Sequence, residues 1–158
     1  MALVADGNGK SNWSKLPSGS APLPKVRVVD NSGTAGFYST GSALAFPTVD
    51  FDIGAVGGKS GMVGADNTTL TVQEAGVYLI TTNFHTDQLY TYPLLIVSGK
   101  PQVVGVAVYA ASSNTYANSA TTIVNCAQNT TIQVRVGDND STTAPSGGAI
   151  ELWVTKLP

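Results

Sequence analysis

At 158 residues the chain fits a single domain with a short appendage, and a domain of that size buries roughly 68–70% of its unfolded surface. Only 11% of the residues are charged and the formal net charge is −2, so the basic face that neutralises nucleic-acid phosphates is missing; with 42% hydrophobic residues the composition is not that of a disordered chain either. No apolar run approaches the ~18 residues of a membrane-crossing helix, and the lone Cys126 rules out an intrachain disulfide.

The first 24 residues read as an extended N-terminal arm. Asp6-Gly-Asn-Gly-Lys10 is a double turn, and Pro17-Ser-Gly-Ser-Ala-Pro-Leu-Pro24 is a stiff connector. Trp13 lies between them, and so large an apolar side chain in a polar arm is expected to dock on another subunit or protein, the alternative being its own domain. The start of the chain has neither a positive n-region nor an apolar h-region, so no classical secretory signal is expected. Residues 25–44 read as an accessory hairpin or edge ribbon. Lys25 to Val29 alternates, Asp30-Asn-Ser-Gly33 turns, and Thr34 to Thr40 returns.

From residue 45 to 158 the pattern is that of a regular all-β knob. Phe46 to Ile53 is a strand that Pro47 restricts to an edge or a strand start. Gly54 to Gly64 is a loop. Leu70–Val72 and Val77–Phe84 flank a tight Gly turn and are expected to form a hairpin. Leu94–Val97 is a short apolar run ended by the turn Ser98-Gly-Lys-Pro101. Val104, Val106 and Val108 share one face of a single strand, residues 112–119 form a polar loop, and Ala120–Cys126 is another strand. Ile132, Val134 and Val136 alternate with Gln133 and Arg135. Ile150, Leu152 and Val154 likewise alternate with Glu151, Trp153 and Thr155. Eight to ten short strands without a helical period predict a two-sheet antiparallel sandwich or jelly roll.

Ala75-Gly-Val-Tyr78, together with the order of Phe46–Ile53, Val97-Ser-Gly-Lys100, Thr121–Val136 and Gly147-Gly-Ala-Ile-Glu-Leu-Trp153, resembles the trimeric jelly-roll family of the complement component 1q globular head and tumour necrosis factor. The resemblance spans residues 45–158 and implies a homotrimeric, non-enzymatic assembly or binding module. Leu3-Val-Ala-Asp-Gly-Asn-Gly-Lys-Ser-Asn-Trp13 resembles a bead pattern of bacteriophage tail fibres and other virion structural proteins. The combined expectation is a capsid decoration or cement protein, assembled in the host cytoplasm and located on the virion. Its arm would grip neighbouring subunits such as the major capsid protein. The alternatives are the receptor-binding tip of a tail fibre, with Tyr90, Tyr92 and Tyr116 facing a host glycan, and a secreted complement-like module. Trp13, Tyr78 and Trp153 are the expected subunit or partner contacts.

No catalytic constellation emerges. His85 is the only histidine and has no nucleophile motif beside it, so it reads as a polar strand-end residue. Asp50 and Asp52 lie two apart on one strand face, as a polar face or subunit contact would place them. Gly54-Ala-Val-Gly-Gly-Lys-Ser60 lacks the first Gly of a phosphate loop and the helix that must follow it. Asp138-Asn-Asp140 offers the oxygens Ca²⁺ prefers, but Asp/Asn turns are common without metal, and no cofactor or metal is expected. Cys126 reads as a buried small hydrophobe.

Overall fold

A computed structural model describes residues 2–5, 11–14, 23–30, 41–53, 61–86, 91–104, 106–110, 115–138 and 150–158. Two antiparallel sheets face each other. One has six strands in the order β4 (Thr48–Ile53), β3 (Lys25–Asp30), β12 (Ile150–Lys156), β6 (Gly76–Thr86), β10 (Thr115–Cys126), β9 (Val106–Ala110). The other has four, in the order β5 (Leu70–Thr71), β11 (Thr131–Asp138), β7 (Thr91–Val97), β8 (Lys100–Val104). A separate two-stranded ribbon pairs β1 (Ala2–Ala5) with β2 (Ser11–Ser14), setting Leu3 opposite Trp13. The double turn expected at 6–10 lies outside the described residues, but β1 and β2 pair antiparallel, so the arm is not extended throughout.

The core follows from period-two alternation. Val26, Val28, Tyr78, Ile80, Phe84, Ile150, Leu152 and Val154 point inward from the larger sheet, and Leu70, Leu95, Val97, Ile132, Val134 and Val136 meet them from the smaller one. Fully burying a side chain of this size stabilises the fold by roughly 1.5–3 kcal/mol. Leu44, Phe46 and Met62, from the segments that link the sheets, close the sandwich along one side. Thr82 is one inward polar residue. Its hydroxyl donates to the Glu151 carbonyl at 2.8 Å, which satisfies it inside the core.

Three expectations about connectivity are corrected. The segment at 25–44 is no accessory ribbon: β3 lies between β4 and β12, with Val26 and Val28 in the common core. The returning strand expected at 34–40 lies outside the described residues, whereas 41–44 runs beside β11, with Leu44 N–H donating to the Val134 carbonyl. The stretch around Gly76 is not a hairpin either. β5 pairs with β11 and β6 pairs with β10 and β12, so Gln73–Ala75 carries the chain from one sheet to the other. The same happens between Val104 and Val106, which divides the expected valine strand into β8 and β9, in different sheets. The first corner has the local look of a hairpin turn and the second the alternation of a continuous strand, and only long-range pairing decides where the chain changes sheet. The polar loop expected at 112–119 is shorter, because β10 already begins at Thr115.

Local turn chemistry does match. Ser98 and Gly99 both have positive φ, at 50° and 75°, and join β7 to β8 as a two-residue hairpin turn of the kind that suits twisted strands. Pro47 stands immediately before edge strand β4, where its missing N–H costs no ladder bond. Gly61 is required by close approach, because a methyl group there would collide with the Asp52 carboxylate. That carboxylate accepts the backbone N–H groups of Met62 and Val63 at 2.9 and 3.0 Å, which ties the inter-sheet crossing to β4.

Candidate interface on the outer sheet face

The outer face of the six-stranded sheet is formed by the residues that alternate with the core. Along β6 these are Val77, Leu79, Thr81 and Asn83; along β12, Glu151, Trp153 and Thr155; along β10, Thr121, Ile123 and Asn125. The register aligns them in rows. Phe51, Arg27, Trp153, Thr81 and Thr121 cross the sheet in one row, and Ile53, Lys25, Thr155, Leu79 and Ile123 in the next. Several of these side chains remain in solvent: Ile123 is 62% exposed, Val77 41% and Trp153 37%. Leu79, Thr81, Asn83, Trp153 and Thr155 border an open groove of ≈ 290 Å³. The Thr81 and Thr121 hydroxyls, 3.2 Å apart, hydrogen-bond across β6 and β10 and leave a level surface between the apolar patches.

Trp153 is fixed on three sides. Phe51 meets its ring edge-on, with centroids 5.8 Å apart and planes at 69°. The Arg27 guanidinium lies over it at 4.8 Å, and its indole N–H donates to Glu151 Oε2 at 3.2 Å. Arg27 also pairs with Asp50 and, at 2.7 Å, with Glu151, while the Asn83 amide donates to Glu151 at 3.3 Å. The Trp153 hydrogen bond, followed by those of Arg27 and Asn83, outweighs partial burial and holds the Glu151 carboxyl below the usual carboxylate range. The result is a rigid aromatic and ionic cluster at one side of the face and an aliphatic patch around Leu79 and Ile123 at the other. Such a surface excludes water when another flat surface covers it; it carries no nucleophile poised beside a base.

Of the expected contact residues, Trp153 lies on this face. Tyr78 does not, and that expectation is corrected. Tyr78 is buried in the core, donates its hydroxyl to the Glu74 carbonyl at 2.8 Å, and has its pKa pushed up to about 12, first by burial. It fastens the 73–75 corner. Trp13 belongs to β2, away from both sheets of the sandwich in pairing terms. Tyr92 is half-buried, and its ring occupies the space a side chain at Gly137 would fill, a stabilising cover for a strand glycine. Tyr116 pairs in register with Thr86 and Tyr109, while Tyr90 lies outside the described residues. Asp138 ends β11 opposite Thr91, and Asp140 lies outside the described residues, as does the Gly-rich stretch 54–60. Among the described residues no cluster of three His, Cys, Asp or Glu could hold a metal ion. His85 is exposed on β6 opposite Ala117. Asp50 and Asp52 part company: a bulge beside them gives Asp50 to Arg27 and Asp52 to the Met62 and Val63 amides. Cys126 is buried as expected, and burial pushes its thiol pKa up.

The sequence alone sets Glu151 on the face of Trp153 but does not single out Leu79, Ile123, Phe51 and Arg27. A signal was present in Val77-Tyr-Leu-Ile80, four consecutive apolar residues where a strand with one solvated face would alternate.

No family model matches the chain, and no curated protein does. Solved structures share its fold. The globular domain of zebrafish complement 1qA protein superposes with a TM-score of 0.62 at 13% identity, over 86% of this chain and 98% of that one. Eiger TNF from S. frugiperda gives 0.62 at 11% identity, over 87% and 94%. PRD1 vertex protein P5 gives 0.55 at 15% identity, over 87% and 99%. The chain has the antiparallel jelly-roll sandwich of these proteins.

Proposed function

We propose that the chain is a non-enzymatic virion structural protein, a homotrimeric capsid decoration or cement protein whose knob self-associates and whose N-terminal arm grips neighbouring subunits. The observation that carries this reading is the outer sheet face. Its apolar residues flank a level threonine row and a pre-fixed Trp153, and copies of the same face or of a complementary edge can cover them. Leaving Ile123 mostly in water is unfavourable for a lone domain and is relieved by association. The fold is shared with a vertex protein, which supports a place on a particle surface, and with a complement head domain and a TNF, which supports a binding or assembly role over a catalytic one.

The test has two stages. Light scattering coupled to size exclusion should give a mass near three times 16.2 kDa. The purified protein should then co-sediment with shells of its source virus that lack it. A single-chain mass removes the trimer, and a trimer that binds no shell removes the decoration role.

A further inference from the structure

The exposed sheet edges differ in how they discourage further pairing. β4 carries Asp50 and Asp52 and follows Pro47; β8 opens with Lys100 and Pro101; β5 is two residues long, and Ala43 continues its side of β11. Charges, proline and brevity are the devices that keep an edge from recruiting another strand. β9, Val106-Ala-Val-Tyr-Ala110, has none of them, and among the described residues it ends the six-stranded sheet with no strand on its outer side. Among the described residues nothing pairs with its outer backbone groups, which form a template about five residues long. At the other end of the chain, the β1–β2 ribbon has the complementary problem. Two strands alone are marginally stable in water, and β1, Ala2-Leu-Val-Ala5, is likewise free of charge, proline and glycine.

We infer that β9 is the seat of the N-terminal ribbon of a second copy of this chain, which extends the six-stranded sheet across the subunit boundary by strand addition. This rests on the reading of the arm as a grip on a neighbouring subunit and names what it holds. Reach favours a second copy over the chain's own arm. Pro24 is anchored, because its carbonyl accepts the Lys156 N–H, so the chain between Ser14 and Pro24 is ten Cα–Cα steps long, at most about 36 Å when fully extended. In the strand register, Lys25 lies level with Ile123 of β10, whereas β9 pairs with β10 from Ser119 to Thr115, four strands away and four to eight residues farther along. At ~4.8 Å per strand and ~3.3 Å per residue, with β1 against β9 and β2 outside it, the place of Ser14 is about 33 Å from Pro24 at the near end and about 41 Å at the far end. The chain's own linker would be taut at the first and too short at the second, and a path over the outer face crosses the surface that self-association covers.

Disulfide trapping between two differently substituted full-length chains tests this, in a Cys126→Ala background so that refolding exposes no other thiol. One chain carries Leu3→Cys or Val4→Cys, the other Ala107→Cys or Val108→Cys, which samples both faces of each strand. The two are refolded together and oxidised mildly. At the millimolar effective concentration of a docked segment, one combination should yield disulfide-linked pairs at least about tenfold above a control with Gln102→Cys on the β8 edge. Trapping only when both cysteines are in the same chain assigns the seat to the chain's own arm and overturns the inference. Yields at control level for every combination overturn it as well. Light scattering of the unoxidised mixture separates the readings, since a mass of three chains with no trapping preserves the trimer while removing the β9 seat.

Discussion

The inner and outer faces of the six-stranded sheet are built by the same strands, alternate residue by alternate residue, and are finished differently. Leu152 and Trp153 are neighbours in β12. Leu152 is sealed by the opposite sheet, and Trp153 is braced by Phe51, Arg27 and Glu151 yet still more than a third exposed. The inner face gains its stability from close packing of aliphatic side chains against a second layer of the same chain. The outer face has apolar side chains with no second layer among the described residues, held in place by edge-on aromatic and ionic contacts within the sheet. A surface meant only for water would not need Ile123 and Leu79 beside a pre-ordered tryptophan. The difference separates what makes this chain fold from what the proposed assembly would use.

The largest effect should come from breaking the inner face. Leu152→Ala leaves a cavity in a core that collapses only partly, and should lower the unfolding free energy by about 2–5 kcal/mol in urea melts. Ile123→Arg addresses the outer face alone. Because the side chain stands in solvent, the far-UV spectrum should be unchanged while the solution mass falls to that of one chain, since like charges brought together in a covered face cost several kcal/mol. An unchanged mass would show that the face is not the association surface. Tyr78→Phe removes only the hydroxyl that holds the Glu74 carbonyl, and should cost about 1 kcal/mol of unfolding free energy without altering mass, as befits a core rather than a contact residue. The smallest effect is the most specific. Folding depresses the Glu151 pKa, so the carboxylate contributes stability that is fully present above its ordinary, unfolded value and is lost as pH falls through the depressed folded one. The stability difference between the wild type and Glu151→Gln should therefore be constant near neutrality and shrink on acidification below about pH 4.5. A difference that grew on acidification would break the assignment of Glu151 as the ionised centre of the outer cluster.

Much of this arrangement was legible in the residues. Ile132, Val134 and Val136, and Ile150, Leu152 and Val154, show their buried faces by alternation alone, and Trp153 falls opposite Leu152 for the same reason. The all-β sandwich followed from that periodicity and from turns such as Ser98-Gly99. Pairing partners were not legible, because a strand's local pattern says which residues share a face but not which distant strand lies beside it. Gln73–Gly76 therefore looked like a hairpin turn, although it is a crossing between sheets, and Lys25–Asp30 looked like an appendage, although it is the second strand of the main sheet. Tyr78 was misjudged because tyrosine suits either a core with one hydrogen-bond acceptor or a wet interface. The nearby Glu74 carbonyl settles it here. Ile123 escaped notice because the pair Ile123-Val124 does not show which of the two faces outward until β6 sets Leu79 across from Ile123.

The solitary thiol of Cys126 has a practical consequence. It is 2% exposed, sits opposite Gly76 where β6 begins, and burial disfavours its reactive thiolate. A thiol reagent can reach it only when the end of β10 separates from the sheet corner or the whole domain opens. With reclosing faster than labelling, the modification rate divided by that of an unfolded control equals the population of the open form. The native chain thus carries its own clock for breathing at a place where the path between the two sheets begins, readable by mass alone and without any added probe.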